Sequence, residues 1–275
     1  MTLGVLILAE DTAHAAIADG LTHAVLCEVA RERHADWIAD ALSLLMRWKG
    51  EKDLEPHLQG VRYTPWPRAF AESDSLPPVV EIDGVRLKTR GHYKGQPLKT
   101  GAAAYRKALL WAYSEQYPLD AMILVKDTDG KSESLDGLWQ VIDIVSRPII
   151  LAAPHRDAEA WFVAGLRPEE GTEESVRLEQ IRGELSFDPC EEPHRLTSSP
   201  NTANTDAKRV LRRILHDEDA SRPIELDRQA AVAERCFSDL ALLRERGVAT
   251  GLVAFLEQIE ARLYPLLTNT DRQTR

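Results

Sequence analysis

Asp127 and Asp129 are carboxylates whose spacing and position in the chain could support chemistry. They lie two residues apart, directly after the apolar run 122–125, and Gly130 follows them. A run of this kind is typical of a strand buried on both faces, and the alternation of an extended chain sends both carboxylates to the same side. Two neighbouring carboxylates repel each other unless a cation or a proton lies between them. The alternative is that residues 127–130 close a turn and cap the next helix.

Glu10 and Asp11 follow a second apolar run in the same way, because residues 3–9 also read as a short buried strand. If the two strands are neighbours in a parallel sheet, Glu10, Asp127 and Asp129 converge at the carboxyl ends of the strands, where open α/β sheets bind ligands. A small set of carboxylate oxygens is the usual protein contribution to a Mg²⁺ or Mn²⁺ site. The sequence therefore predicts that these three residues are metal ligands and catalytic residues.

The elements that must position these acids alternate between strand and helix, which indicates a mostly parallel α/β sheet flanked by helices. A further buried strand is predicted at 148–153, and a hairpin at 79–88 because two alternating segments are joined by Asp-Gly. Helices are predicted at 12–19, 21–33, 34–49, 102–117, 134–145 and 157–166. In these helices Trp37, Trp48, Ala103 and Trp139 are among the residues expected to face the core.

A Glu after the first strand and an Asp-x-Asp after a later one resemble the TOPRIM-like nuclease family. The closest likeness is to the small stand-alone TOPRIM-like proteins, related to OLD nucleases, of bacterial anti-phage defence loci. Such proteins tend to carry a Pro-x-x-x-Glu-x-Trp-like segment after the next strand, and residues 154–161 here read Pro-His-Arg-Asp-Ala-Glu-Ala-Trp. The chain departs from the pattern at Asp11, where Gly is usual, and at Lys126, where an apolar residue is commoner.

The resemblance covers roughly residues 3–164 and implies a TOPRIM-like fold with Mg²⁺ (or Mn²⁺) held by the three acids. It also implies hydrolysis of phosphodiester bonds in DNA or RNA. Relatives of this kind often work beside a separately encoded ABC- or SMC-type ATPase, so an ATPase partner is expected. The chain has no Walker motif of its own.

Five further residues are predicted to assist the acids from nearby positions: Asp11, His14, Lys126, Lys131 and Glu159. His14 lies one helical turn past Glu10 and could face the carboxylates, although a histidine that packs between helices is the alternative. Lys126 or Lys131 could neutralise charge that develops on a phosphate. Glu159 could support the site, or it could simply complement a helix dipole.

Residues 84–114 contain no acid, although the whole chain carries a formal net charge of −10. Within this segment, a glycine-punctuated loop presents basic side chains that could grip a nucleic-acid backbone: Lys88, Arg90, His92, Lys94 and Lys99. A solvated basic loop is the alternative. The interleaved aromatic and basic residues at 62–68 could stack on bases, or they could anchor a loop on the core.

The 275 residues are divided into a TOPRIM-like domain at 1–166 with an insertion at about 50–100, an acidic connector at 167–204 and a helical C-terminal region at 205–275. No apolar run approaches the roughly 20 residues that cross a bilayer. The three scattered cysteines and the lack of a signal-peptide pattern favour a cytoplasmic protein. The sequence leaves the oligomeric state open.

Three functions fit these observations. The first is a divalent-metal-dependent nuclease in a defence system. The second is an adaptor with little or no catalysis that keeps the TOPRIM shape and binds an ATPase or nucleic acid, which Asp11 and the net acidity favour. The third is a metal-dependent phosphohydrolase acting on nucleotides. The basic loop argues against this function, because it favours a polymeric substrate.

Overall fold

The structure, a computed structural model, describes residues 2–53, 61–92, 95–115, 118–128, 130–198, 203–215 and 232–268. It confirms a mixed α/β architecture with a mostly parallel central sheet flanked by helices. The strands are β1 (Leu3–Ala9), β2 (Met46–Lys49), β3 (Lys52–Asp53), β4 (Arg62–Pro65), β5 (Val79–Ile82), β6 (Val85–Lys88), β7 (Ala121–Val125) and β8 (Ile149–Ala152). The first eight helices are α1 (Thr12–Glu32), α2 (Asp36–Leu45), α3 (Trp66–Ser73), α4 (Ala102–Glu115), α5 (Ser132–Val141), α6 (Glu159–Gly165), α7 (Glu173–Leu185) and α8 (Ala207–Leu215).

The central sheet has six strands in the order β3-β4-β1-β7-β8, with β2 paired to the first half of β1. Every pair is parallel except β3 with β4. All residues of β1 and β7 are buried, as expected for strands covered on both faces. The prediction that the two acid-bearing strands are parallel neighbours is confirmed, with Leu8 opposite Leu124 in the register.

Helix α1 runs without a break from Thr12 to Glu32, so the interruption predicted near Gly20 is wrong. A glycine inside a helix costs only about 1 kcal/mol relative to alanine. The buried face of α1, which includes Leu21 and Val25, contributes enough packing to offset that cost.

The helix predicted at 34–49 ends early, because the chain turns extended at Met46 and forms β2 against β1. Strand pairing therefore overrides the helical spacing of the apolar residues. Trp48 lies half-buried in this strand, whereas Trp37 on α2 is 57% exposed. Trp139 is 40% exposed. Ala103 in the first turn of α4 is exposed as well. These side chains lie outside the buried stripes of their helices.

The predicted insertion contributes two elements to the fold before the hairpin. Strand β4 pairs in parallel with the second half of β1, and α3 follows it directly. Trp66 at the start of α3 is 2% exposed, stacks on Phe70 and donates its indole N–H to the carbonyl of Val125 at 2.8 Å. The aromatic residues of this segment are therefore core anchors and not a platform for bases.

The predicted hairpin is confirmed as β5 paired antiparallel with β6. Asp83 and Gly84 connect the strands with φ values of 54° and 75°. Positive φ at both central residues is the requirement of a type I′ turn, which explains why Asp-Gly marks this position in the sequence.

The C-terminal helical segment covers the outer edge of β8. The side-chain amide of Gln258 accepts a hydrogen bond from Leu151 N–H at 3.0 Å and donates one to Leu151 O at 3.2 Å. Arg262 also donates to Ile149 O at 3.0 Å. These side chains satisfy backbone groups that an exposed edge strand would offer to another chain. The apolar side chains of this segment are buried at Leu252, Phe255, Leu256, Ile259 and Leu263.

Contacts divide the chain into two compact units. The first contains Met1–Lys126, Lys131–Ala152 and Phe255–Arg275, and the second contains Asp127–Gly130 and Ala153–Ala254. In the second unit the predicted acidic connector holds the 13-residue helix α7 and the buried residues Phe187 and Cys190. No helix in the described parts of the chain has both the length and the apolar character needed to cross a bilayer.

We expect Trp66→Phe to lower the free energy of unfolding by about 2 kcal/mol, because it leaves the buried carbonyl of Val125 without its indole donor. Chemical denaturation measures the change. The matched control is Trp37→Phe on the exposed face of α2, for which the change should stay within about 0.5 kcal/mol. Equal effects of the two substitutions would contradict the role assigned to Trp66.

Burial raises the pKa of Asp19 in α1 to about 7. The folded protein therefore binds a proton more tightly than the unfolded chain, and stability falls as pH rises from about 4 through 7. We expect Asp19→Asn to raise the unfolding temperature above pH 7, with the gain disappearing below about pH 4. The exposed Asp40→Asn in α2 serves as the control. A gain that is independent of pH would refute the burial argument.

Candidate metal centre

Glu10, His14 and Asp127 each place one ligand atom within 4.8 Å of the others. His14 and Asp127 are buried, with 6% and 9% of their surface exposed, and Glu10 is half-buried. Among the residues that the structure describes, this is the group of three potential ligands close enough to share an ion. The set contains two of the three acids predicted to bind metal. Asp129 lies outside the described residues.

The ends of β1 and β7 position the two carboxylates. Glu10 directly follows β1, and Asp127 is separated from β7 by Lys126 alone. The register places Leu8 opposite Leu124, so two residues later Glu10 is opposite Lys126. The ladder with β8 continues beyond the strand, since the N–H of Lys126 donates to Ala152 O at 3.0 Å. Sheet pairing therefore fixes the backbone up to the residue before Asp127.

Asp11 caps the N-terminus of α1 and orients His14. Its Oδ1 accepts a hydrogen bond from His14 N–H at 3.0 Å and lies 2.7 Å from His14 Nδ1. A carboxylate on Nδ1 holds the proton on that nitrogen, so the lone pair of the imidazole is on Nε2. This arrangement leaves Nε2 as the nitrogen suited to bind a cation.

Lys126 forms an ion pair with Glu10 through its ammonium group and Oε1. The side chains are 21% and 33% exposed, so the pair is partly shielded from solvent. Burial raises the pKa of the Tyr105 phenol, and the charges of Lys126 and Glu10 have smaller, opposite effects on it. The phenol is therefore neutral at physiological pH, and Lys126 is the group that balances Glu10.

The loop after Asp127 is held by the chain that follows β8. Thr128 donates through its backbone N–H to Pro154 O at 3.1 Å, and Gly130 N–H donates to His155 O at 2.9 Å. The Thr128 hydroxyl also donates to Pro154 O, at 3.0 Å. The backbone carbonyls of Pro154 and His155, which follow β8, therefore hold the loop after Asp127 in place.

Lys131 and Glu159, two of the residues expected to support the acids, lie at the N-termini of helices. Lys131 is exposed at the N-cap of α5. Glu159 begins α6 and lies 3.8 Å from Lys208, which is also 3.7 Å from the buried Asp157. Glu159 therefore takes part in an ion-pair cluster of the second unit.

The basic residues predicted to bind nucleic acid are exposed where the structure describes them: Lys88, Arg90, His92 and Lys99. Lys94 lies outside the described residues. Lys99 has a counter-charge that the local sequence does not reveal, because its ammonium lies 2.7 Å from Asp136 of α5. The loop is also tethered, since Arg106 donates to the carbonyl of His92 at 3.2 Å.

The sequence predicts His14 as a residue that assists the acids and not as a ligand. The available signal is its distance of four residues from Glu10, combined with Asp11 as a helix cap. The sequence also predicts Lys126 as a phosphate contact and does not reveal its ion pair with Glu10. The register that reveals this pairing depends on the tertiary contact of two distant strands.

The donor types and separations of the cluster fit a divalent cation. Two carboxylate oxygens and an imidazole nitrogen, all within 4.8 Å, are compatible with three positions around one ion after small side-chain adjustments. A buried Glu/His/Asp cluster of this kind could hold a metal ion.

We expect Asp11→Ala to lower the free energy of unfolding by about 1 kcal/mol, because α1 loses its N-cap. Asp11→Asn should retain nearly all the stability, since asparagine caps helices about as well as aspartate. Denaturant titration of the two variants tests the assignment. A loss in Asp11→Asn as large as that in Asp11→Ala would show that the charge, and not the cap, is what stabilises this end of α1.

Comparisons with family models, curated proteins and solved structures give no match to this chain.

Proposed function

We propose that the protein is a divalent-metal-dependent nuclease that hydrolyses phosphodiester bonds in DNA or RNA. The observation that carries the proposal is the cluster of Glu10, His14 and Asp127 at the carboxyl ends of two neighbouring parallel strands. Ligand sites of open α/β sheets lie in this position. The resemblance to TOPRIM-like proteins supports the same reaction class and assigns Asp129 as a further ligand.

Mn²⁺ fits the described ligands better than Mg²⁺. Mg²⁺ prefers oxygen ligands and keeps several waters, whereas Mn²⁺ shares the preference for carboxylates but, as a transition metal, accepts an imidazole nitrogen beside them. The participation of His14 therefore shifts the expectation from Mg²⁺ towards Mn²⁺. Mg²⁺ binding would require that His14 Nε2 contact a metal-bound water rather than the ion.

A bound cation of this type lowers the pKa of a coordinated water and stabilises negative charge on a phosphate. The chain's own residues provide the surrounding functions. Glu10 and Asp127 would hold the cation, and Asp11 keeps the His14 ring in one orientation. Lys126 lies beside Glu10 and could donate to a phosphate oxygen, where a positive charge stabilises the transition state.

The exposed cations near the hairpin support a polymeric substrate. Lys88 ends β6, and Arg90 and His92 follow it within an acid-free segment of a chain with net charge −10. Such segregation provides local attraction for a phosphate backbone although the whole chain is acidic. Lys99 in the same segment forms an exposed ion pair with Asp136 at 2.7 Å.

The second candidate is an adaptor with little or no catalysis that binds an ATPase or nucleic acid. The ion pair of Lys126 with Glu10 favours it, since a site balanced by its own lysine can be stable without a metal. An ABC- or SMC-type ATPase remains the proposed partner for either function, and it rests on the family resemblance alone.

The test combines calorimetric titration with Mn²⁺ and Mg²⁺ and a plasmid-nicking assay on the same preparations. We expect one Mn²⁺ site and metal-dependent nicking in the wild type. Glu10→Gln and Asp127→Asn should each weaken Mn²⁺ binding by at least tenfold and reduce nicking by about 100-fold or more, because each removes a charged ligand.

Glu32→Gln at the exposed end of α1 is the matched control and should behave as the wild type. Metal binding without nicking, with or without added nucleotide, would favour the adaptor. Absence of metal binding in the wild type would contradict the proposed nuclease.

A further inference from the structure

We infer that Lys126 exchanges between Glu10 and a substrate phosphate, and thereby couples the binding of the metal to the binding of the phosphate. The inference rests on the proposed metal centre and specifies how that centre is controlled. Its premise is the ion pair between the Lys126 ammonium and Glu10 Oε1. In the metal-free protein, the Lys126 ammonium therefore lies at a Glu10 oxygen that a metal ion would bind.

The backbone of Lys126 cannot move away from Glu10 without breaking the sheet. The two residues are opposite each other in the continued β1–β7 register, and Lys126 N–H is bonded to Ala152 O. Exchange must therefore occur by rotation of the side chain. The lysine stem is long and flexible, and its ammonium is a compact point charge, so such a rotation is available.

The ammonium opposes metal binding for as long as it stays beside Glu10. It occupies a carboxylate oxygen, and its positive charge repels a divalent cation at close range in a partly buried site. A phosphate bound next to the metal offers Lys126 another anionic acceptor. Transfer of the lysine to that phosphate frees Glu10 for the metal and removes the repulsion.

Coupling of this kind is reciprocal, because the factor by which phosphate raises metal affinity equals the factor by which metal raises phosphate affinity. The protein would bind a metal weakly when alone and strongly when nucleic acid is present. Activation would then follow substrate binding without any rearrangement of the sheet.

The experiment measures Mn²⁺ affinity by calorimetry in the wild type, Lys126→Met and Lys107→Met. Lys107 is the matched control because it also pairs with a carboxylate, Asp74, at 2.9 Å, and not with the cluster. We expect Lys126→Met to bind Mn²⁺ alone about tenfold more tightly than the wild type. Lys107→Met should bind as the wild type does.

The second measurement is the affinity for a short fluorescent phosphorothioate oligothymidylate, determined by anisotropy with and without Mn²⁺. The wild type should bind it about tenfold more tightly when Mn²⁺ is present. Lys126→Met should lose most of this gain and Lys107→Met should keep it. The uncharged methylphosphonate form of the same oligonucleotide should show no gain with any variant.

The outcomes separate this inference from the proposed function. If Lys126→Met and the wild type bind Mn²⁺ equally well, or if both keep the same gain in oligonucleotide affinity, the exchange is overturned and the metal centre stands. If neither variant binds Mn²⁺, the metal centre itself is wrong and the inference falls with it. Thermal unfolding of each variant identifies any that fail to fold.

Discussion

The parallel pairing of β1 with β7 is the constraint on which the candidate centre depends. Glu10 and Asp127 are 117 positions apart in the chain, and each follows a strand whose residues are all buried. Because the strands run in the same direction and in register, their acidic ends emerge at the same edge of the sheet. Burial of the strands therefore fixes the place of the carboxylates, and the residues around the cluster need only adjust the side chains.

Concentrating carboxylates at one edge has an electrostatic cost, and the chain offsets it with neighbours drawn from the same two strand ends. Lys126 balances Glu10, and Asp11 holds His14 while it caps α1. Each of these residues departs from what a resemblance or a simple strand pattern leads one to expect. Together they balance part of the negative charge at this edge of the sheet and hold the His14 ring in place.

The sequence was most informative where a local pattern coincides with burial. The apolar runs of β1 and β7 and the Asp-Gly turn at Asp83 are confirmed because buried strands and type I′ turns have strict residue requirements. Errors occurred where tertiary pairing overrides local preference. Met46 begins a strand in an apparent helix, and the segment around Trp66 forms a strand and a helix in an apparent insertion. The pairings of Lys126 with Glu10 and of Lys99 with Asp136 join residues far apart in the chain, which no local pattern encodes.

The central claim is that Glu10, His14 and Asp127 share one divalent cation, and diffraction at the manganese absorption edge tests it most directly. Crystals grown with Mn²⁺ and a short phosphorothioate oligonucleotide should give one strong anomalous peak within bonding distance of a carboxylate oxygen of Glu10, of His14 Nε2 and of a carboxylate oxygen of Asp127. A peak bonded elsewhere, or no peak at this edge of the sheet with the Lys126–Glu10 ion pair still in place, would contradict the account.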